Sequence, residues 1–195
     1  MTRPRVGMLA AAIVGTTAAL TVAFPSVTPA EPVTLSPLSA LVEASAQRLL
    51  IADDVAAAKW DTDLPINDPP RERQVLDAVT AMAAEQNLDT GFVYRVFRDQ
   101  IDATEAVEYT RFAQWKFDPA IAPTTRPDLS AARVTIDRLN RVMVTEIAEQ
   151  WDTLHTPGCR ARLAAAQAAA TAELGLDPLY ITALTRATGS YCTTL

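Results

Sequence analysis

Residues 89–116 read DTGFVYRVFRDQIDATEAVEYTRFAQWK, a stretch without proline whose only glycine stands near its start. Val93, Phe97, Ile101, Phe112 and Trp115 recur at the spacing of one face of an α-helix. The positions that should fill the gap in this stripe are Thr104 and Glu108. A hydroxyl and a carboxylate therefore stand one turn apart on a face that should be core. Burying a carboxylate without partners is costly, so the rest of the chain must supply them.

On the N-terminal side, Ser36 and Pro37 predict a helix start, a capping serine followed by proline at the first helical position. The helix they open carries Arg48, Ala52, Val55 and Lys59 at steps of four, three and four, all on one face. Two cations thus flank a strip of small residues, about 16 Å apart along the axis. Taken alone, both are placed to snorkel off the edge of a core. LPINDPP (64–70) is rich in turn formers, and Asp68 stands just before Pro69–Pro70 as a helix N-cap with Arg71 in the first turn. A second helix runs from there through Val75, Leu76, Val79 and Met82 to about Gln86. Asn87 and Asp89 mark its junction with the long helix.

On the C-terminal side, Pro119, Pro123 and Pro127 exclude an α-helix between Phe117 and Leu129. A fourth helix resumes with Asp128 or Ser130 as cap and Arg133 in its first turns. Its stripe is Ile136, Leu139, Met143, Ile147, Trp151 and Leu154. After Thr156–Pro157–Gly158, two shorter helices follow, about Cys159 to Leu174 and Pro178 to Cys192. No segment past the leader reads as a strand. The fold class is all-α, a bundle of six helices in one domain, with long helices, a proline-rich connector and a C-terminal helix pair that a disulfide between Cys159 and Cys192 would hold together.

The first thirty residues differ from the rest. Arg3 and Arg5 precede an apolar run from about Gly7 to Phe24, and small residues at Thr28 and Ala30 complete a secretory signal with cleavage after Ala30. The competing reading is a membrane anchor, because the run approaches the minimum spanning length. The expected organisation is a signal peptide over 1–30 and one domain over 31–195, secreted or periplasmic, with no membrane association after cleavage. Losing Arg3 and Arg5 leaves 15 of the 17 basic residues against 23 acidic ones, a formal charge of −8. Such a balance argues against a nucleic-acid partner. Cys159 and Cys192 both lie beyond the signal, and in an oxidising compartment they most simply form a disulfide. A reactive thiol near His155 lacks any supporting motif.

Chemistry is narrowed by what is missing. His155 is the only histidine and has no nucleophile motif with it; no glycine-rich phosphate loop and no metal-ligand spacing occurs. What remains is a set of polar residues on otherwise apolar faces: Arg48, Lys59, Arg71, Arg133, Thr104 and Glu108. Four buried cations exceed what Glu108 and Asp68 can neutralise, and unpaired buried charge costs several kcal/mol per ion. Such a pocket calls for an anionic ligand, and a small dicarboxylate suits the bidentate geometry of arginine.

At these residues the chain resembles a family. Lys59, Asp68 nine positions on, Arg71–Glu72, and Thr104 with Glu108 on a later helix are similar to the all-helical chorismate mutases. RLLIADDVAAAKW, LPINDPPRERQ, RVFRDQIDATEAVEYTRFAQWK and the cysteine pair resemble the secreted subclass, especially its mycobacterial members. The resemblance spans about residues 36–192. It implies that Arg48, Arg71 and Arg133 hold the two carboxylates of chorismate, and that Lys59 and Glu108 contact the ether oxygen whose bond breaks. It further implies that Asp68 and Glu72 orient the ring hydroxyl and that Thr104 assists at a carboxylate. One chain is then a complete catalytic unit, usually within a homodimer, and the rearrangement to prephenate requires no cofactor and no metal. Cytosolic relatives commonly carry glutamine at the position of Glu108, so a glutamate there donates to the ether oxygen only when protonated. Desolvation raises its pKa while Lys59 and the arginines lower it, and the sequence leaves the winner open. The rival reading is a secreted helical binding protein on the same scaffold without turnover.

Overall fold

The computed structural model of the chain describes residues 36–193 together with Thr2. The expected signal peptide and its cleavage site lie outside the described residues. Among those residues there are eight α-helical segments and no strand: α1 (Ser39–Leu50), α2 (Ala52–Lys59), α3 (Pro69–Glu85), α4 (Thr90–Phe117), α5 (Leu129–Glu149), α6 (Trp151–Leu154), α7 (Cys159–Leu174) and α8 (Pro178–Ala187). The all-α reading holds.

Two of the six expected helices are each divided, which gives eight segments. The first breaks at Ile51, so Arg48 and Lys59 ride on successive helices; Ile51 keeps a right-handed backbone, and its carbonyl still accepts from Val55 N at 3.0 Å. The shared face survives the break, and Arg48, Ala52, Val55 and Lys59 are all buried. Ser36 does not cap α1. Its hydroxyl accepts from Leu38 N and donates to the carbonyl of Arg162, tying the start of the described chain to α7. The second division falls at Gln150, beyond which Trp151–Leu154 form a single turn. Likewise α8 stops at Ala187 rather than running on to Cys192.

Several starts follow the expected chemistry. Asp68, Asp89, Asp128 and Asp177 each accept a backbone N–H of the first turn of α3, α4, α5 and α8. Asn87 takes a left-handed conformation (φ 57°) between α3 and α4, a turn role asparagine tolerates. Gly175 closes α7 at φ 61°, where a side chain would be strained. The connector after α4 contains one short 3-10 turn at Pro119–Ile121.

The long helix α4 is the axis of the packing. It lies against α2, α3 and α8, while α1 lies against α5 and α7. The two C-terminal helices touch each other and each has a larger seat, α7 on α1 and α8 on α4; the Cys159–Cys192 disulfide staples the pair by joining the start of α7 to the tail beyond α8. Two devices fix α2 on α4. Arg111 holds both carboxylate oxygens of Asp53, at 2.6 and 3.1 Å. Trp60 meets Phe112 and Trp115 edge to face, with centroids 5.0 and 5.3 Å apart. Lys59 is the residue just before that aromatic anchor.

Candidate active site

Five helices and one loop converge on a single cavity. Its lining includes Arg48 from α1, Val55 and Lys59 from α2, Ile66 and Asp68 from the 64–68 loop, Arg71, Glu72 and Val75 from α3, Ile101, Thr104, Glu105 and Glu108 from α4, and Leu129, Arg133 and Ile136 from α5. Every site residue expected from the sequence is on this wall. The four cations come from four separate helices.

Lys59 and Glu108 face each other at the bottom. The ammonium lies 2.9 Å from Glu108 Oε2 and donates to the Ile66 carbonyl at 2.8 Å; both side chains are almost fully buried. An ammonium has three N–H donors, so one is left for a ligand. Burial pushes the Glu108 carboxyl above the usual carboxylate range, and the opposing pull of Lys59 does not cancel that rise. Desolvation is the stronger influence on this carboxyl.

Arg48 is held on two sides. Its Nε donates to Asn140 Oδ1 at 2.8 Å and its Nη1 to Thr104 Oγ1 at 3.3 Å. Burial first, and the like charge of Arg71 second, push its guanidinium down to about 10. It remains a cation at neutral pH, and two of its five N–H donors are used. Thr104 is fully engaged in this arrangement, since its hydroxyl also donates to the Gln100 carbonyl at 2.8 Å. Gln100 in turn accepts from Ser45 Oγ at 2.6 Å, so a buried polar chain stands behind Arg48.

Nearer the mouth, Arg71 donates to Asp137 Oδ1 at 2.6 Å and to Gln74 at 2.9 Å. Arg133 is less buried and donates to Asp68 Oδ2 at 3.1 Å. Asp68 thus serves twice, because its other oxygen caps α3 through Arg71 N. Glu72 is turned to Arg98, 2.7 Å away. Beside it, Glu105 is pushed up to about 7, by its burial first and by the nearby Glu72 second.

Asn140, Asp137, Glu105 and Arg98 were missed in the sequence. Asn140 gave a usable signal: at four beyond Ile136 and three before Met143 it interrupts an apolar stripe as Thr104 and Glu108 do. The neighbouring Leu139 concealed it by filling the same stripe. The others give none, since Asp137 and Arg98 lie on half-exposed faces where charge is ordinary. Among the described residues no cluster of His, Cys, Asp and Glu is arranged to hold a metal ion.

Comparison with known proteins adds to this geometry. The sequence profile of chorismate mutase type II matches residues 39–109. The secreted chorismate mutase of Mycolicibacterium smegmatis is 57% identical over 157 residues, covering 80% of this chain and 87% of that one. The secreted chorismate mutase of Mycobacterium tuberculosis is 49% identical over 160 residues, covering 82% and 80%. In three dimensions the fold is similar to the crystal structure of chorismate mutase from Burkholderia phymatum, with a TM-score of 0.77 and 31% identity over 82% of this chain and 98% of that chain. The profile match contains Arg48, Lys59, Asp68, Arg71, Glu72, Thr104 and Glu108 but stops short of Arg133.

Proposed function

We propose a mechanism on one premise: this chain belongs to the chorismate mutase family. Its activity is the isomerisation of chorismate to prephenate, and it is a secreted enzyme like the relatives it matches. The observation that carries the site assignment is the convergence of four cations, from four helices, on one cavity with the buried Lys59–Glu108 pair at its base.

The substrate is a dianion. Arg48 meets one carboxylate from the buried side, oriented by Asn140 and Thr104. Arg71 and Arg133, held by Asp137 and Asp68 on a partly exposed wall, turn their forks to the substrate's carboxylates when it enters. Carboxylates thereby replace carboxylates, so the arginines stay paired throughout. Holding both ends of the molecule selects the folded conformer in which the reacting carbons approach. Asp68 and Glu72 remain within the same wall for the ring hydroxyl.

The bond that breaks is a carbon–oxygen ether bond, and negative charge accumulates on its oxygen as it lengthens. The remaining N–H of Lys59 and the proton of Glu108 are the donors for that charge, prepositioned on two almost fully buried side chains. No proton changes owner and no covalent intermediate forms. Glu108 thus acts as a neutral hydrogen-bond donor, consistent with the upward direction of its pKa.

Incubating the purified protein with chorismate and following the loss of its absorbance tests the activity. Turnover in wild type, with nearly complete loss in Lys59→Ala, is the expected result; full turnover in the variant overturns the site. We propose further that residues 1–30 are a signal removed after Ala30, so Glu31 should be found at the N-terminus of the exported protein. No helix among the described residues is long and apolar enough to cross a membrane. The family resemblance supports a homodimer, which sedimentation at micromolar concentration would test.

A further inference from the structure

We propose that Arg98 is a positioning residue of this enzyme, acting from behind the pocket by fixing and neutralising the two carboxyls, Glu72 and Glu105, that form one of its walls. Arg98 lies on α4 and does not itself line the cavity. Its Nη1 is 2.7 Å from Glu72 Oε2 on α3, and its Nη2 is 4.0 Å from Glu105 Oε1. Its Nε is bound to Asp102 at 2.8 Å, which fixes the guanidinium in its plane; Asp102 in turn takes Arg186 of α8 at 2.9 Å. Both Glu72 and Glu105 line the cavity, and Asn67 of the 64–68 loop donates to Glu105 Oε2 at 2.7 Å.

The inference rests on the dianionic substrate proposed above. Two carboxylates on the wall of a site for a dianion oppose binding unless a fixed cation offsets them. Arg98 supplies that cation without occupying ligand space. Without it, Glu72 is released from α4 and faces Glu105 with no charge between them. The carboxyls must then take up a proton or turn into the cavity, and either change meets the substrate. The effect should fall on affinity, since the groups at the ether oxygen are Lys59 and Glu108.

Glu105 supplies an internal probe, because burial and the like charge of Glu72 already hold it near 7. The charged groups nearest it are Glu72 of α3 and Arg98 and Asp102 of α4, with Arg186 of α8 behind Asp102; Arg48, Lys59, Asp68, Arg71, Glu108 and Arg133 line the same cavity. Removing Arg98 should raise the Glu105 carboxyl further. The penalty on substrate binding should then grow as pH rises and Glu105 ionises.

Steady-state kinetics of Arg98→Gln, Arg98→Lys and the double variant Arg98→Gln/Glu105→Gln, from pH 6 to 8.5, decide the matter. Arg98→Gln should raise KM roughly three- to tenfold at neutral pH with kcat within about twofold of wild type, a change of the size expected for a partly exposed charge pair. The rise should steepen with increasing pH. Adding Glu105→Gln keeps the acceptor for Asn67, removes one like charge, and should return KM toward wild type with a flat pH dependence. Arg98→Lys should lie between, and it carries the test if Arg98→Gln does not fold. An unchanged KM in Arg98→Gln, a loss confined to kcat, or a KM that Glu105→Gln fails to restore overturns the proposal. Wild type without turnover of chorismate overturns the functional reading itself, so the two failures are distinct.

Discussion

Helix α4 meets the pocket with Thr104 and Glu108, while α8, packed on the same helix, contributes Tyr180, Ala183, Leu184 and Ala187 to the core. Around the pocket polar and charged side chains are buried among apolar ones, and they are tolerated because neighbours partner them: Lys59 with Glu108, Arg48 with Asn140. Those partnerships are incomplete by design of the donor count, which leaves N–H groups for a ligand. The C-terminal side is dominated by apolar contact, small residues and a covalent staple, and none of its residues lines the pocket. One side stores binding capacity at a cost in solvation, and the other stores stability. Substitutions on the two sides should therefore move different observables.

The largest separation is expected for Lys59→Ala. Losing the charged donor at the ether oxygen should lower kcat by about a thousandfold. The melting temperature should hardly change, because Glu108, already pushed upward by burial, can stay neutral without its partner. A collapse of the melting temperature would erase the distinction between the two sides. Cys159→Ser/Cys192→Ser is the converse. Releasing a loop with 33 residues of separation should cost roughly 3–4 kcal/mol in the chain-entropy model. Denaturant titration measures that loss, and kcat at a temperature where the variant is folded should stay within about twofold of wild type.

Glu108→Gln sharpens the comparison by pH. In wild type the proton on Glu108 is kept above the ordinary carboxylate range and is lost as pH rises through the raised pKa, so kcat should fall on the alkaline side. Glutamine keeps a donor at every pH, so the variant's profile should be flat there; superimposable profiles would remove Glu108 as donor. The linkage sign runs the same way for stability. The native state holds a proton that the unfolded chain releases, so this residue makes the fold less stable as pH rises from the ordinary carboxylate range through the raised value. Asp68→Ala, the smallest effect, should blur the division. Losing the α3 cap costs about 1 kcal/mol, and KM should rise severalfold because Arg133 loses its partner. A change in only one of the two readouts would show that the cap and the ion pair are separable.

The sequence carried the inward-facing polar residues because helical periodicity reports which face a side chain occupies. Thr104 and Glu108 stood out against Val93, Phe97 and Ile101, and Arg48 shared a face with Lys59 despite the break at Ile51. Periodicity does not report which helix lies opposite. For that reason Asp137 as the holder of Arg71, and Arg98 as the holder of Glu72, became visible only once α3, α4 and α5 were placed together. The C-terminal helix pair was legible through its cysteines, which the disulfide joins. The alanine-rich stripe of α7 did not name α1 as its main seat, nor did the sequence name α4 as that of α8. The balance of forces on Glu108 was likewise beyond the sequence, since desolvation depends on packing from every side.

The disulfide has a consequence for a protein that works outside the cell, where peptide bonds are exposed to proteases. Cys159 and Cys192 enclose all of α7, α8 and the exposed turn at Gly175. A single cut anywhere in that enclosed segment opens a ring but releases no fragment, because the two ends stay covalently joined. In the intact chain α7 packs against α1 and α8 against α4, and none of the residues on the pocket wall lies in the enclosed stretch. A cut at the exposed Gly175 turn should therefore leave every pocket-lining residue on one uninterrupted stretch of chain.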